Sequence, residues 1–109
     1  MITYEDAKKL KAGDIVYTIL DKPKRVVEAK VTCCEDRTAF YRQKSPILFL
    51  SWKVKGGTTD YSTFLSEGAA DTKLLFLCER DAVQQLIEDY NEKIAFYQNK
   101  IAELNKLLE

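Results

Sequence analysis

Up to about residue 79 the apolar positions of this chain recur mostly every second residue, whereas from Val83 onward they recur every third and fourth. The first rhythm predicts strands and the second a helix. GDIVYTIL alternates Ile15, Tyr17 and Ile19 with Val16, Thr18 and Leu20, and DKPK then turns the chain, because Pro23 fixes φ and cannot donate to a ladder. RVVEAKVTCC places Val27, Ala29, Val31 and Cys33 on one face, with Arg25, Glu28, Lys30 and Thr32 toward water. EDR reads as a tight turn into a third strand, TAFYRQ. After the KSP break, ILFLSWKV sets Leu48, Leu50, Trp52 and Val54 on one face and Ile47 and Phe49 on the other. KGGTTD is a glycine hairpin, YSTFL a short strand, SEGAADT a loop, and KLLFLCE the sixth and last strand. Ahead of all of these, Thr3 stands three residues before Asp6 in the manner of a capping box and Gly13 offers a stop after Leu10. A short helix is expected there, closing one end of the β-region with Tyr4, Ala7 and Leu10.

Strands joined by turns this short cannot be parallel, since a parallel crossover needs a dozen or so residues. The expected class is α+β: a small antiparallel SH3-like barrel, or a curved sheet, of about six strands, with a short N-terminal helix and a long C-terminal one. Residues 1–79 form the β-domain and residues 80–109 the helix.

That helix carries the strongest pattern in the chain. Val83, Ile87, Tyr90, Ile94, Tyr97, Ile101, Leu104 and Leu108 step alternately by four and three, a heptad seam with Ile87, Ile94 and Ile101 at a positions. Glu79 and Asp81 lie near the positive end of its dipole. Such a helix extends about 42 Å, while a β-domain of this size is only about 25 Å across, so part of the stripe must overhang. A homodimer is therefore expected, through a coiled coil or a four-helix arrangement. Leu86 and Phe96 lie off the seam and suit packing of the first turns on the sheet. Tyr90 and Tyr97 at d positions are bulky for a parallel two-stranded coil and suit antiparallel pairing or packing on the β-domain, while the e and g positions carry no charge code that selects a direction.

Composition narrows the class. A chain of 109 residues, 46% apolar and 31% charged, holds one modest core. Its net charge of zero argues against both a strongly basic DNA binder and an acidic mimic of DNA. No apolar run reaches the length of a membrane span, and the start MITYEDAKKL lacks a secretory pattern, so a cytoplasmic protein without membrane contact is expected. Cys33, Cys34 and Cys78 are too few and too close for a disulfide framework, and with no histidine present neither metal nor cofactor is expected. Of the adjacent pair, one thiol should point inward and the other outward, where it could react.

Charge is balanced only globally. Between Lys22 and Lys55 nine basic residues face three acidic ones, and between Gly56 and Glu92 eight acidic residues face two basic ones. The candidate contact residues are Arg25, Arg37, Tyr41, Arg42, Lys44, Ile47, Phe49, Lys53 and Lys55. Ile47 and Phe49 suit an apolar-centred protein contact with a charged rim. The aromatic and basic residues suit single-stranded nucleic acid or a nucleotide, including a sequestered signalling nucleotide; Trp52, sharing its face with Leu48, Leu50 and Val54, belongs to the core instead. No nucleophile with a base, phosphate-cradling loop or marked carboxylate pair is present, so catalytic residues are not expected.

The segments LKAGDIVYTIL, VVEAKVT and LFLCERDAVQQL, about a third of the chain, resemble a loose class of small uncharacterised phage and bacterial proteins in which a bent β-domain precedes a helix with an acidic start. The resemblance implies a mobile-element origin and a role as an inhibitor or sequestering agent, and implies no particular functional residues. The expectation from sequence is thus a non-enzymatic homodimeric module that binds a protein, with nucleic acid or a nucleotide as the alternative.

Overall fold

The computed structural model describes residues 2–21, 23–41, 45–67 and 75–109. The first element is a single helical turn, α1 (Tyr4–Ala7), whose start is fixed as the sequence suggests: the Thr3 hydroxyl accepts the Asp6 N–H at 3.0 Å. Gly13 follows with φ +99°, a left-handed conformation open to glycine, and its N–H donates to the Val31 carbonyl at 2.8 Å. α1 is thereby tied to the sheet.

Four strands follow: β1 (Ile15–Leu20), β2 (Arg25–Asp36), β3 (Ile47–Val54) and β4 (Asp60–Ser66). All pair antiparallel with their sequence neighbours, in the order β1-β2-β3-β4. The hairpin between β3 and β4 is set at its start by Gly56 at φ +79°, while the Gly57 N–H closes onto the Val54 carbonyl at 2.9 Å. One face of the sheet carries the core. Val16, Ala29, Val31, Leu48, Leu50, Trp52 and Leu65 are buried there with Ile2, Ala7 and Leu75, and Tyr4, Leu10 and Cys34 pack at the margin.

The architecture is α+β, but the sheet is open and four-stranded among the described residues; it is neither a closed barrel nor six-stranded. Two of the expected strands account for the difference. TAFYRQ does not continue the ladder. The Asp36 carboxylate accepts the Thr38 N–H at 2.8 Å and bonds its hydroxyl as well, which turns the chain into a helical turn, α2 (Thr38–Tyr41). Thr38 in turn accepts the Ile47 N–H at 2.9 Å, returning the chain to β3. Of the KLLFLCE segment, Lys73 and Leu74 lie outside the described residues, and the described part, from Leu75 on, gives no strand. Phe76 instead makes one bridge to Tyr17, exchanging N–H···O bonds of 2.8 and 2.9 Å and sealing part of the β1 edge. The expected SEGAADT loop falls mostly outside the described residues.

A register shift corrects a third expectation. Between Val31 and Cys33 the pairing slips, so that Val31 faces Trp52 while Cys33 faces Ser51. The extra residue, Thr32, inverts the alternation beyond it. Cys34 and not Cys33 therefore points toward the core, donating its thiol to the Ala7 carbonyl at 3.3 Å.

The last element is α3 (Glu79–Leu107), 29 residues long. Leu75 enters the main core, and its neighbour Phe76, facing the other way along an extended segment, is buried too. The first turns of α3 lie against β1 and β2, with Ala82 fully buried and Gln85, Leu86 and Asp89 partly so. Beyond Asp89 every residue of the helix is exposed. The overhang stretches the molecule to 62 Å along its longest axis and raises the radius of gyration to 18.0 Å, against about 13 Å for a compact chain of this length.

Leu50, fully buried in the centre of β3, tests the assignment of the core face. Leu50→Ala is expected to lower unfolding stability by about 2–5 kcal/mol, read from the midpoint of a chemical denaturation curve.

Candidate functional site

Two surfaces emerge from the candidate residues. The first is the heptad seam. Val83, Ile87, Tyr90, Ile94, Tyr97, Ile101, Leu104 and Leu108 all lie exposed, from 40% at Val83 to 85% at Leu108. With about 100° between successive residues, the seam lies about a quarter-turn round the helix from the Ala82, Leu86 and Asp89 line that meets the sheet. Leu86 does pack toward the sheet as its off-seam position suggests, whereas Phe96 is exposed. The helix thus shows one face to its own sheet and keeps the seam clear of it. Asp89 marks the end of the docked part: its carboxylate accepts from Gln85 at 3.0 Å and pairs with the Lys24 ammonium at 3.8 Å.

The second surface is the outer face of β2, β3 and β4. Phe49 stands opposite Phe64 in the ladder, with ring centroids 5.3 Å apart, and the Arg37 guanidinium lies 3.9 Å from the centre of the Phe49 ring. Phe64 is 49% exposed. Arg37 also reaches the Glu35 carboxylate at 3.3 Å, so the aromatic pair is flanked by a compensated charge. Ile47, on the same face, is half-buried and pairs with Ser66. Below the rings the face turns polar. The Thr32 and Ser51 hydroxyls share a 2.7 Å hydrogen bond, and the Lys53 ammonium lies 3.7 Å from the Asp60 carboxylate.

The remaining candidates are not gathered there. Arg25 sits at the β1–β2 turn, donating to the Pro23 carbonyl at 2.9 Å, and Lys55 pairs with Glu28 at 3.8 Å. Tyr41 falls in α2, and Arg42 and Lys44 lie outside the described residues. Trp52 is 3% exposed in the core, where its ring stacks on that of Tyr61 at 6.3 Å. Phe64, read only as part of the YSTFL strand, and Asp60, counted only for its charge, were not among the candidates from sequence. Counting strand pairs outward from the KGGTTD turn would have placed Phe64 against Phe49.

Cys33 lies on this outer face. Its thiol donates to the Glu35 carboxylate at 3.0 Å, and that bond, with some desolvation and the nearby negative charge, raises its pKa above the ordinary thiol value. The same bond, together with Arg37, lowers that of Glu35. Burial raises Cys34. Both adjacent thiols are thus held in the protonated, less nucleophilic form. Among the described residues no group of three His, Cys, Asp or Glu could hold a metal ion, and no helix is long and apolar enough to cross a membrane.

No protein-family model matches the chain, and neither a curated protein nor a solved structure does.

Because the Glu35 carboxylate is the largest cause of the raised Cys33 pKa, its removal should free the thiol to ionise. Glu35→Ala is expected to speed iodoacetamide labelling of Cys33 at pH 8, measured by peptide mass spectrometry, with Cys34 labelling unchanged. An equal rate at Cys33 in both forms would show that the carboxylate does not control this thiol.

Proposed function

We propose that the chain is a non-enzymatic, homodimeric protein-binding module, with α3 as the dimerisation element and the outer face of β2–β4 as the partner surface. The observation that carries the dimer is the exposure of the whole heptad seam on a helix whose last five turns or so extend about 27 Å beyond the sheet. Covering a half-exposed Ile or Tyr contributes on the order of 1 kcal/mol, and only a second surface can cover these. The exposed part of each seam side chain is on the order of 100 Å², so eight of them reach the roughly 800 Å² per partner of a stable interface. A second copy presents the same stripe.

A protein partner is favoured by the Phe49–Phe64 pair under Arg37, an aromatic centre with an arginine and a polar rim. The nucleic-acid alternative loses support on two counts. Trp52 is in the core and offers no base-stacking face. Arg37, Lys53 and Lys55 each face a carboxylate, which reduces the positive potential that phosphates require.

Light scattering on the full chain at tens of micromolar is expected to give twice the chain mass. The double substitution Ile94→Ser, Tyr97→Ser should return one chain mass without loss of the far-ultraviolet β signal, since neither side chain meets the sheet. A wild-type monomer at that concentration would remove the dimer. A mixed-sequence single-stranded oligonucleotide should show no tight, salt-sensitive binding; if it does, the nucleotide reading replaces the protein one.

A further inference from the structure

The seam carries a second piece of information, its order of side-chain sizes. With Ile87, Ile94, Ile101 and Leu108 at a and Val83, Tyr90, Tyr97 and Leu104 at d, a parallel pair stacks like on like. Two consecutive d layers would be Tyr against Tyr, separated by thinner Ile against Ile layers, and the spacing between the helices would have to widen and narrow along the coil. Run in opposite directions, the same two helices meet a against d. Val83 then faces Leu108, Ile87 faces Leu104, Tyr90 faces Ile101 and Ile94 faces Tyr97, each layer repeated by symmetry. Every tyrosine is matched by an isoleucine and every seam residue finds an opposite, with none left over at either end. In this arrangement Leu86 comes alongside Leu107, 80% exposed in the single chain, and the amides of Asn91 and Gln98 meet on the other flank.

We propose that two copies pair along α3 in antiparallel orientation, with Tyr90 of one helix against Ile101 of the second copy and Tyr97 against Ile94. This rests on the homodimer reading above and adds its direction. The occupant of the seam is a second copy because the sequence of sizes is complementary to its own reversal. The seam is also accessible to it, since the sheet meets α3 on the Ala82, Leu86 and Asp89 line and leaves Val83 and Ile87 open beside it. Two like-charge contacts result, related by symmetry: Lys93 of each copy stands beside Lys100 of the other. In the single chain these ammonium groups lie 5.6 Å from the centre of the Tyr90 ring and 5.7 Å from that of Phe96.

Cys78, exposed at the N-cap of α3, supplies a reporter already in place. In a Cys33→Ser background, with Cys34 partly buried, a nitroxide at Cys78 can be read by pulsed dipolar spectroscopy on the full-length protein. Antiparallel pairing separates the two labels by about 50 Å, whereas parallel pairing brings them within about 20 Å. The long distance is expected; the short one overturns the orientation and leaves the dimer standing. Absence of dipolar coupling together with a single-chain mass removes the dimer itself. Lys93→Glu gives an independent readout, because the new carboxylate stands beside Lys100 of the second copy in the antiparallel pair but beside Gln98 in a parallel one. A dimer about 3- to 10-fold tighter is expected from the two new ion pairs, and an unchanged dissociation constant counts against the antiparallel pair.

Discussion

The structure is governed by a mismatch between the length of an apolar stripe and the size of the body that could cover it. The sheet and its one-sided core offer α3 a platform only as far as Asp89, where Gln85 and Lys24 hold the carboxylate. Past that point every residue of the helix is exposed. Helices in proteins gain most of their stability from packing of an apolar face, and here a run rich in Ile, Tyr and Leu on one face is left without it. The Ala82, Leu86 and Asp89 line lies toward the helix's own sheet, and the seam is left exposed.

The seam was legible from spacing, as steps of four and three keep one stripe that drifts only about 20° per heptad, but of the line that meets the sheet only Leu86 was foreseen, and the first turns of the seam are exposed as well. The sheet was legible only where alternation persisted. β1, β3 and β4 follow the expected segments closely and the Thr3 cap holds as read, whereas the first helix ends at Ala7, well short of the expected stop at Gly13. β2 departs at Thr32, where one extra residue exchanges the faces of everything after it; a β-bulge leaves no signature in a run such as VTCCED. TAFYRQ misled for a related reason. Its residues favour strands, but the short-range bonds from Asp36 to Thr38 compete successfully with the ladder and fold the segment into a turn.

The outer-face surface was half legible. Ile47 and Phe49 stood out because a strand apolar on both faces asks for an explanation, and Arg37 was named for its charge alone. Their association depends on pairing across strands, which brings Phe64 opposite Phe49 and lays the guanidinium over the ring. Linear spacing cannot supply that. Conversely, the basic residues that looked like a continuous patch along the chain are dispersed by the fold, Arg25 to the β1–β2 turn and Lys55 to Glu28.

The stiffness of α3 has a consequence for avidity. If two copies pair along α3 as proposed, the coil would act as a ruler, fixing the separation and relative angle of two identical outer sheet faces before any target is met. A target that repeats its own epitope at the matching interval would engage both at once, and the second contact would form at high effective concentration without any new chemistry. A target with a single epitope, or a repeat of the wrong pitch, gains nothing, so selectivity among targets can reside in rod length as much as in the residues that touch.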